Sequence, residues 1–568
     1  VALTVMRWLT NAGIALRKGM YDFDTLMYHG PFAALFAQSH NTRGLPQVVT
    51  GQAIAYHPAS AELLHAAGIT LFHTDVLTTV ANLAWLGVAL LAAWCLGSAW
   101  RGRALAVCAV CALAVAPGVF TSQAGTAGND IAALAWFIAA VAFAARARVH
   151  GESARGAGVL AAVAAGMAVG TKLSLGIPVA ALTCLAIVQA PPGRRAQTAA
   201  RWLVPATLVG GYWYVRNLVI VGNPLPAVPV GLTRPAMPIV DRYSDTVLVH
   251  ASIHRVTHVF YPGLRAFFGP LWWFVVMATV IGIVFAIASR DPLRRGLGVV
   301  TALMLIGYLV TPTSGAPAVF EPNLRYALPA IALALILAVT TPTLGAARTP
   351  APAPPGAQPL GRAIANVTPI AAFVVATYLT TAPWRFPTWG FATAITIAVT
   401  AIVGVVLRLP RRGRDAIVGV AAACFILSPL TLRAVETRYV AGRYADAAGD
   451  LGLAFRFGRV TTGRRIGVSG AVENYPLFGT TLTNNVAYIG VQEPDTSFRE
   501  VRSCGEWRRV VNSGHFDYLV ISRTPIDTAH YGPPPEEGWA SAANALRLVA
   551  RSGSTSIWAV TARLDATC

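Results

Sequence analysis

Long apolar runs, separated by short polar or Gly- and Pro-bearing joints, dominate the first three quarters of the chain. They fall at 76–98, 103–119, 129–147, 156–170, 174–190, 201–215, 270–289, 296–312, 326–342, 366–380, 388–408 and 413–430. Most approach the roughly 20 residues that an α-helix needs to cross a bilayer core. Residues 1–16 read as a further partial span. The chain opens on Val1 rather than Met, so part of that helix is expected upstream of this numbering. A cleaved signal peptide fits poorly, because Arg17 and Lys18 follow the apolar run and no small-residue cleavage site does. The pattern predicts about 13 transmembrane helices, with 156–170 and 174–190 short enough to be bent or re-entrant.

From residue 431 the period changes. RRIGVSGA, NNVAYIGV, FDYLVIS, LRLVARSG and TSIWAVTA are short apolar stretches bounded by turn residues, which predicts strands around helical segments such as 432–454. The expected organisation is therefore bipartite: a polytopic α-helical membrane domain over 1–430 and a soluble α/β domain over 431–568. A Pro-rich stretch at 343–365, containing TPAPAPPGAQPLG, cannot form a regular helix and is expected to tether the last spans to the rest on the cytoplasmic side.

Composition agrees and adds sidedness. At 55% hydrophobic and 12% charged residues, the chain is not a string of soluble domains. The net charge of +20 is concentrated before residue 431. Alternating the spans gathers Arg101, Arg103, Arg146, Arg148, Arg155, Arg194, Arg195, Arg201, Arg290, Arg294, Arg295, Arg348, Arg362, Arg408, Arg411, Arg412 and Arg414 on one face, which should be cytoplasmic. The positive charge is then a topology signal rather than a nucleic-acid surface. The opposite face receives most of the acidic residues, and the C-terminal domain lands on that extracytoplasmic side. Cys504 and Cys568 are the only cysteines of that tail, and an oxidising compartment suits a disulfide between them.

Candidate chemistry concentrates on the acidic face. The first external loop, 19–75, is longer than a simple connection needs and carries GMYDFDTLMYHGPFAALFAQ and AYHPASAELLHAAGITLFHTD. Asp24 is a candidate catalytic carboxylate, although Asp before an amphipathic segment is also an ordinary helix cap. Asp22 stands beside it. Asp130, in GTAGND at the start of a span, can cap that helix or position an acceptor, a proton or a metal. His29, His57 and His65 add polar groups; with the carboxylates they leave a divalent cation (Mg, Mn or Ca) open. Lys172, Arg216 and Arg325 are cations at the same face, suited to a phosphate at the membrane surface. The plain alternatives are snorkelling, and pairing of Arg325 with Glu321.

These segments resemble the integral-membrane glycosyltransferases of the GT-C fold, particularly actinobacterial multi-spanning members that use polyprenyl-phosphate-linked sugars. The resemblance is carried by FDTLMYHGPFAALFAQ, YHPASAELLHAAG, LTTVANLAWLGVALLAAWCLG, AGND, GTKLSLGIP, WYVRNLVIVGNPLP and NLRYALP, in that order along the chain. It implies a GT-C-like bundle in which Asp24 is the catalytic base, Asp22 a helper and Asp130 the acidic residue of the next external loop. It also implies a lipid-phosphate sugar donor held by Arg216 and Arg325, and a cell-envelope polysaccharide or lipid-linked glycan as acceptor. In the tail, Tyr475 and Phe478 could stack on sugar, or pack the small domain against the bundle. A transporter or flippase for a lipid-linked substrate, and a noncatalytic envelope-assembly protein, are the alternatives from other classes.

Overall fold

The computed structural model describes residues 1–50, 53–150, 155–226, 245–249, 251–312, 314–317, 319–341, 429–470, 473–523, 535–565 and 568. The linker at 343–365 and the expected spans at 366–380 and 388–408, with nearly all of 413–430, lie outside the described residues.

The first part is helical: α1 (Ala2–Lys18), α2 (Gly30–Ser39), α3 (Ser60–Phe72), α4 (Thr78–Gly97), α5 (Arg103–Ala114), α6 (Pro117–Gln123), α7 (Asp130–His150), α8 (Arg155–Thr171), α9 (Gly176–Val188), α10 (Arg195–Gly210) and α11 (Tyr212–Val221). Unlabelled helices follow at Tyr261–Phe268, Trp272–Ile287, Pro292–Val310 and Leu328–Val339. Ala133, Phe137, Ile138, Ala140 and Val141 of α7 are almost fully buried, so this helix, apolar on every side, lies inside the bundle between α4 and α8.

The expectation of about 13 spans is not met. Among the described residues, four helices are long and apolar enough to cross a membrane: Thr78–Trp100, Asp130–Val149, Pro292–Val310 and Phe320–Val339. The number rises to six if two bent pairs each count as one span. The physical reason is breakage. The run at 103–119 bends by 77° between α5 and α6, where Pro117 starts a new helix. The apolar stretch at 270–289 meets the preceding helix at 93°. The runs at 156–170 and 174–190 are, as expected, two short helices, here joined by a 3-10 turn at Leu173–Leu175, whereas 201–215 is interrupted at Gly211. Hydropathy counts apolar residues and is blind to such breaks. The chain is a polytopic α-helical membrane protein, and among the described residues it has fewer full-length spans than hydropathy suggests for them.

Helices that are short can still pack closely. Where α8 crosses α10, a Cβ on Gly166 would lie 2.4 Å from the Ala206 carbonyl oxygen, and one on Gly210 only 2.2 Å from that of Gly166. Small residues let two backbones touch, the usual device where lipid removes the hydrophobic drive between helices.

The C-terminal part is an extramembranous α/β domain. All five strand-like stretches form strands: β1 (Arg465–Ser469), β2 (Asn485–Tyr488), β5 (Tyr518–Ser522), β6 (Leu546–Ser552) and β7 (Thr555–Val560). Their order is β2-β1-β5-β7-β6; β1 runs parallel to β2 and β5, while β7 is antiparallel to β5 and β6. The NNVAYIGV stretch continues past β2 into β3 (Gly490–Gln492), which forms a separate ribbon with β4 (Phe498–Glu500), a strand the sequence pattern does not show. The 432–454 segment is two helices, Pro429–Gly442 and Gly449–Val460. Cys504 and Cys568 form the expected disulfide.

This domain sits on the first loop. Buried Asp75 pairs with Arg443 and accepts a hydrogen bond from the Tyr475 hydroxyl at 2.8 Å. Arg443 also donates to the Gly479 and Thr480 carbonyls, each at 2.9 Å. The Tyr475 ring lies so close over Gly30 that a Cβ there would meet it at 2.7 Å. Tyr475 and Phe478 are thus buried packing residues, which favours the second of the two readings of that turn.

Candidate functional site

The site begins with an irregular turn. Residues Thr25–His29 form one π-helical turn leading into α2, with Asp24 in helical backbone geometry just before it. Asp24 makes no capping bond. Asp22 supplies one instead, accepting from the Thr25 amide at 3.0 Å and the Thr25 hydroxyl at 3.1 Å. The capping role therefore belongs to Asp22, and the Asp24 carboxylate is left for the interior. A π-turn, rare and concentrated at functional sites, holds five residues per hydrogen-bonded loop and brings the residues at its two ends toward one face. Here the turn ends on His29, and Asp24 immediately precedes its first residue.

Four charged side chains from distant parts of the chain interlock. Arg325, on a 3-10 turn at Leu324–Ala327, pairs with Asp24 and stands 4.0 Å from Asp130. Lys172, at the joint after α8, pairs with Asp130. Gln123 donates to Asp130 at 3.0 Å while its amide oxygen accepts the Ile131 N–H, serving the start of α7 in place of the aspartate. Asp130 gains further from the positive end of α7. Tyr326 joins the cations, its ring 4.9 Å from Lys172 Nζ and 5.5 Å from the Arg325 guanidinium. Two carboxylates and two cations leave the centre formally neutral, which is how such charges are accommodated at membrane depth.

A second cluster lies beside it. His29 Nδ1 meets Glu62 Oε1 at 2.5 Å, with both side chains almost fully buried. Asn129 donates to the same oxygen at 3.2 Å, whereas Glu62 Oε2 has no hydrogen-bond partner. His57 and His65 are each pushed down to about 4, by burial first; Lys172 adds to the effect at His57 and His29 at His65, so both rings are neutral at physiological pH. Among the described residues no group of three or more His, Cys, Asp or Glu side chains is arranged to hold a metal ion.

The carboxyls of the first loop diverge. Burial acts to raise Asp24, but the Arg325 guanidinium, with help from His29 and Tyr28, outweighs it and holds the group below the ordinary carboxylate range. Asp22 is pushed up to about 6 by burial and by the charge of Asp24.

The remaining expected residues are placed elsewhere. Arg216 donates to the Ala55 carbonyl at 2.9 Å and to Asn217 at 3.0 Å, and its guanidinium lies 4.9 Å from the Trp213 ring. It braces the 53–57 loop rather than joining the two carboxylates. Glu321, half-buried one turn before Arg325, is not the acid that Arg325 pairs with. His57 lines a small apolar cavity with Tyr56, Leu173, Tyr214 and Leu225. A second small cavity, of mixed polarity, has Ser174, Ile177, Met304, Tyr308, Thr311 and Tyr326 in its wall.

Sequence reasoning missed Glu62, Tyr28, Gln123, Asn129 and Tyr326. Their signals were weak: Glu62 three residues before His65 on one helix face, and Tyr326 adjoining Arg325.

No protein-family model matches the chain, and no curated protein matches it in sequence. Solved structures do. ArnT from Cupriavidus metallidurans bound to undecaprenyl phosphate is similar with a TM-score of 0.54 and 14% identity, covering 98% of this chain and 96% of that one. The apo state of the same protein gives 0.52 at 14% identity over the same shares. The chain thus shares the overall fold of that protein. At this identity the likeness extends to the fold, and chemistry must be argued from the residues.

Proposed function

We propose that the protein is an inverting glycosyltransferase that moves a sugar from a polyprenyl-phosphate donor to a cell-envelope glycan or related acceptor on the extracytoplasmic face. The observation that carries this reading is the Asp24–Arg325–Asp130–Lys172 chain, with Asp24 released from capping by Asp22. A similar fold in ArnT is seen with undecaprenyl phosphate, which supports a lipid-phosphate donor. Sidedness is supported by α7, whose ends carry Asp130 and the pair Arg146 and Arg148, about 24 Å apart along the helix.

In this reading Arg325 and Lys172 receive the donor phosphate. The acceptor hydroxyl is oriented by Asp24. Its oxygen attacks the anomeric carbon as the carbon–phosphate oxygen bond breaks, and the electron pair leaves with the lipid phosphate. Negative charge growing on that phosphate draws Arg325 away from Asp24. The carboxylate becomes more basic as the hydroxyl proton is released to it. Asp130 keeps Lys172 and Arg325 in place between turnovers. Actinobacterial envelope glycans belong among the acceptors to be tried.

The test is incorporation of radiolabelled sugar from a panel of polyprenyl-phosphate donors into envelope acceptors by protein in nanodiscs, with donor affinity measured in parallel. Asp24→Asn should lower turnover by about 10²- to 10⁴-fold with donor affinity kept. A folded, lipid-binding wild type that transfers nothing across the panel would overturn the reading in favour of lipid transport.

A further inference from the structure

The segment that delivers Asp24 alternates in exposure. Tyr21 is 45% exposed and Phe23 64% exposed, whereas Asp22 and Asp24, which alternate with them, are largely covered. Other aromatic rings of the same loop, those of Phe32, Phe36 and Tyr56, are buried in the fold. Tyr21 leans edge-on against Tyr444 of the C-terminal part, with ring centroids 5.5 Å apart, and keeps much of its surface in water. Two rings are thus held at the surface, one on either side of Asp22 and the second next to Asp24.

We propose that Tyr21 and Phe23 form the platform on which a neutral, hydroxyl-rich glycan acceptor is stacked, with Glu473 accepting hydrogen bonds from its hydroxyl groups at the edge. This rests on the glycosyltransferase reading above and supplies the acceptor side of that site. A sugar ring has an apolar C–H face and a polar rim, so it is matched by an exposed aromatic face bordered by carboxylates.

The surroundings of Tyr21 fit that occupant. Glu473 and Asp446, both from the C-terminal part, act electrostatically on Tyr21. Asp446 pairs with Lys18 at 3.2 Å, and both side chains stand in water. Glu473 is different: it is half-buried, the charged group that acts on it is another acid, Asp450, and burial with that charge pushes its carboxyl up. A half-covered carboxylate facing acids gains most from neutral donors, and sugar hydroxyls are such donors. The same acids repel a polyanionic chain, which selects a neutral acceptor. Exposed aromatic rings also mark the water–lipid boundary. Here the bilayer is the poorer occupant, because Tyr21 stands against the extramembranous domain and between its carboxylates. The platform is continuous with the contact between the first loop and that domain, so both parts of the chain hold the acceptor.

The test uses the full chain in nanodiscs and in detergent. The probes are short oligosaccharides of neutral pentoses and hexoses, with uronic-acid oligosaccharides of the same length as acidic comparators. Equilibrium binding is measured without donor, and acceptor KM with the polyprenyl-phosphate sugar donor. Wild type should bind the neutral probes and discriminate against the acidic ones. Phe23→Ala, which removes an exposed ring and opens no cavity, should weaken acceptor binding and raise acceptor KM by about tenfold while donor KM stays. Phe23→Trp should restore both, and Glu473→Ala should weaken the same probes. Wild type that binds no neutral probe, or prefers the acidic ones, would overturn the platform. So would transfer with an unchanged acceptor KM in both alanine variants, and this outcome leaves the parent reading standing. An effect of Phe23→Ala seen in nanodiscs and absent in detergent would assign the rings to the bilayer and also overturn the platform. Phe23-dependent glycan binding without transfer from any donor would overturn the parent reading and leave a glycan-binding surface.

Discussion

Asp22 and Asp24 are two residues apart and do different work, and the difference is measurable as a pH dependence of stability. Asp22 in the folded protein titrates near 6, above its ordinary value of 3.8. The folded state therefore binds more protons than the unfolded one between those values, and Asp22 costs stability increasingly as pH rises through that window. Asp22→Asn keeps an acceptor for Thr25 and removes the charge. Its thermal midpoint should exceed that of wild type at pH 8, by an energy of up to about 3 kcal/mol, and the gain should vanish at pH 4; an equal gain at both would assign the effect to packing. At this scale the sequence was partly legible. Asp24, Asp130, Lys172 and Arg325 could be singled out because each is a charge beside an apolar run on one side of the membrane. Their pairing could not, since Arg325 had nearby Glu321 to choose and took Asp24, about 300 positions away. Glu62 is not legible as a site residue in the sequence, because what makes it unusual is its burial against His29.

Helix lengths and crossings set where those charges stand. α8 ends at Thr171, and Lys172 follows at once, so the tilt of α8 fixes the reach of Lys172 to Asp130. The backbone contact at Gly166 and Gly210 fixes that tilt. Gly166→Leu should separate α8 from α10, lower the melting midpoint by an amount equivalent to about 1–3 kcal/mol, and reduce sugar transfer along with it. Preserved transfer in the folded variant would show that Lys172 is positioned by something else. Elements were legible where the apolar pattern was long and uninterrupted, as in α4 and α7, or where turn residues bracketed a strand, as in β1 and β5. They were misjudged where an apolar run concealed a break at Pro117 or Gly211, whereas the division near Leu173–Leu175 was legible in the two short runs on either side of it. Hydrophobicity reports the surroundings of a residue, whereas a break depends on one backbone angle or one missing N–H.

On the scale of the molecule, the bipartite pattern was legible from composition and period, and the seam between its parts was not. That seam is a buried charge: Asp75 of the first loop against Arg443 and Tyr475 of the C-terminal region. Arg443→Met would strand the Asp75 carboxylate in a dry site. It should cost about 3–5 kcal/mol, seen as easier proteolysis of the C-terminal domain in limited digestion; unchanged digestion would mean that apolar packing alone holds the seam. The same seam bears on how such a protein can be recombined. A tail transplanted from another chain would bring its own counterpart of Arg443 and Tyr475 to a loop still carrying Asp75, and the loop it grips is the one that holds Asp24 and His29. The smallest exchangeable cassette therefore consists of two separate pieces of sequence, the tail and the 19–75 loop, and a chimera that divides them would inherit a docking fault felt at the reacting centre.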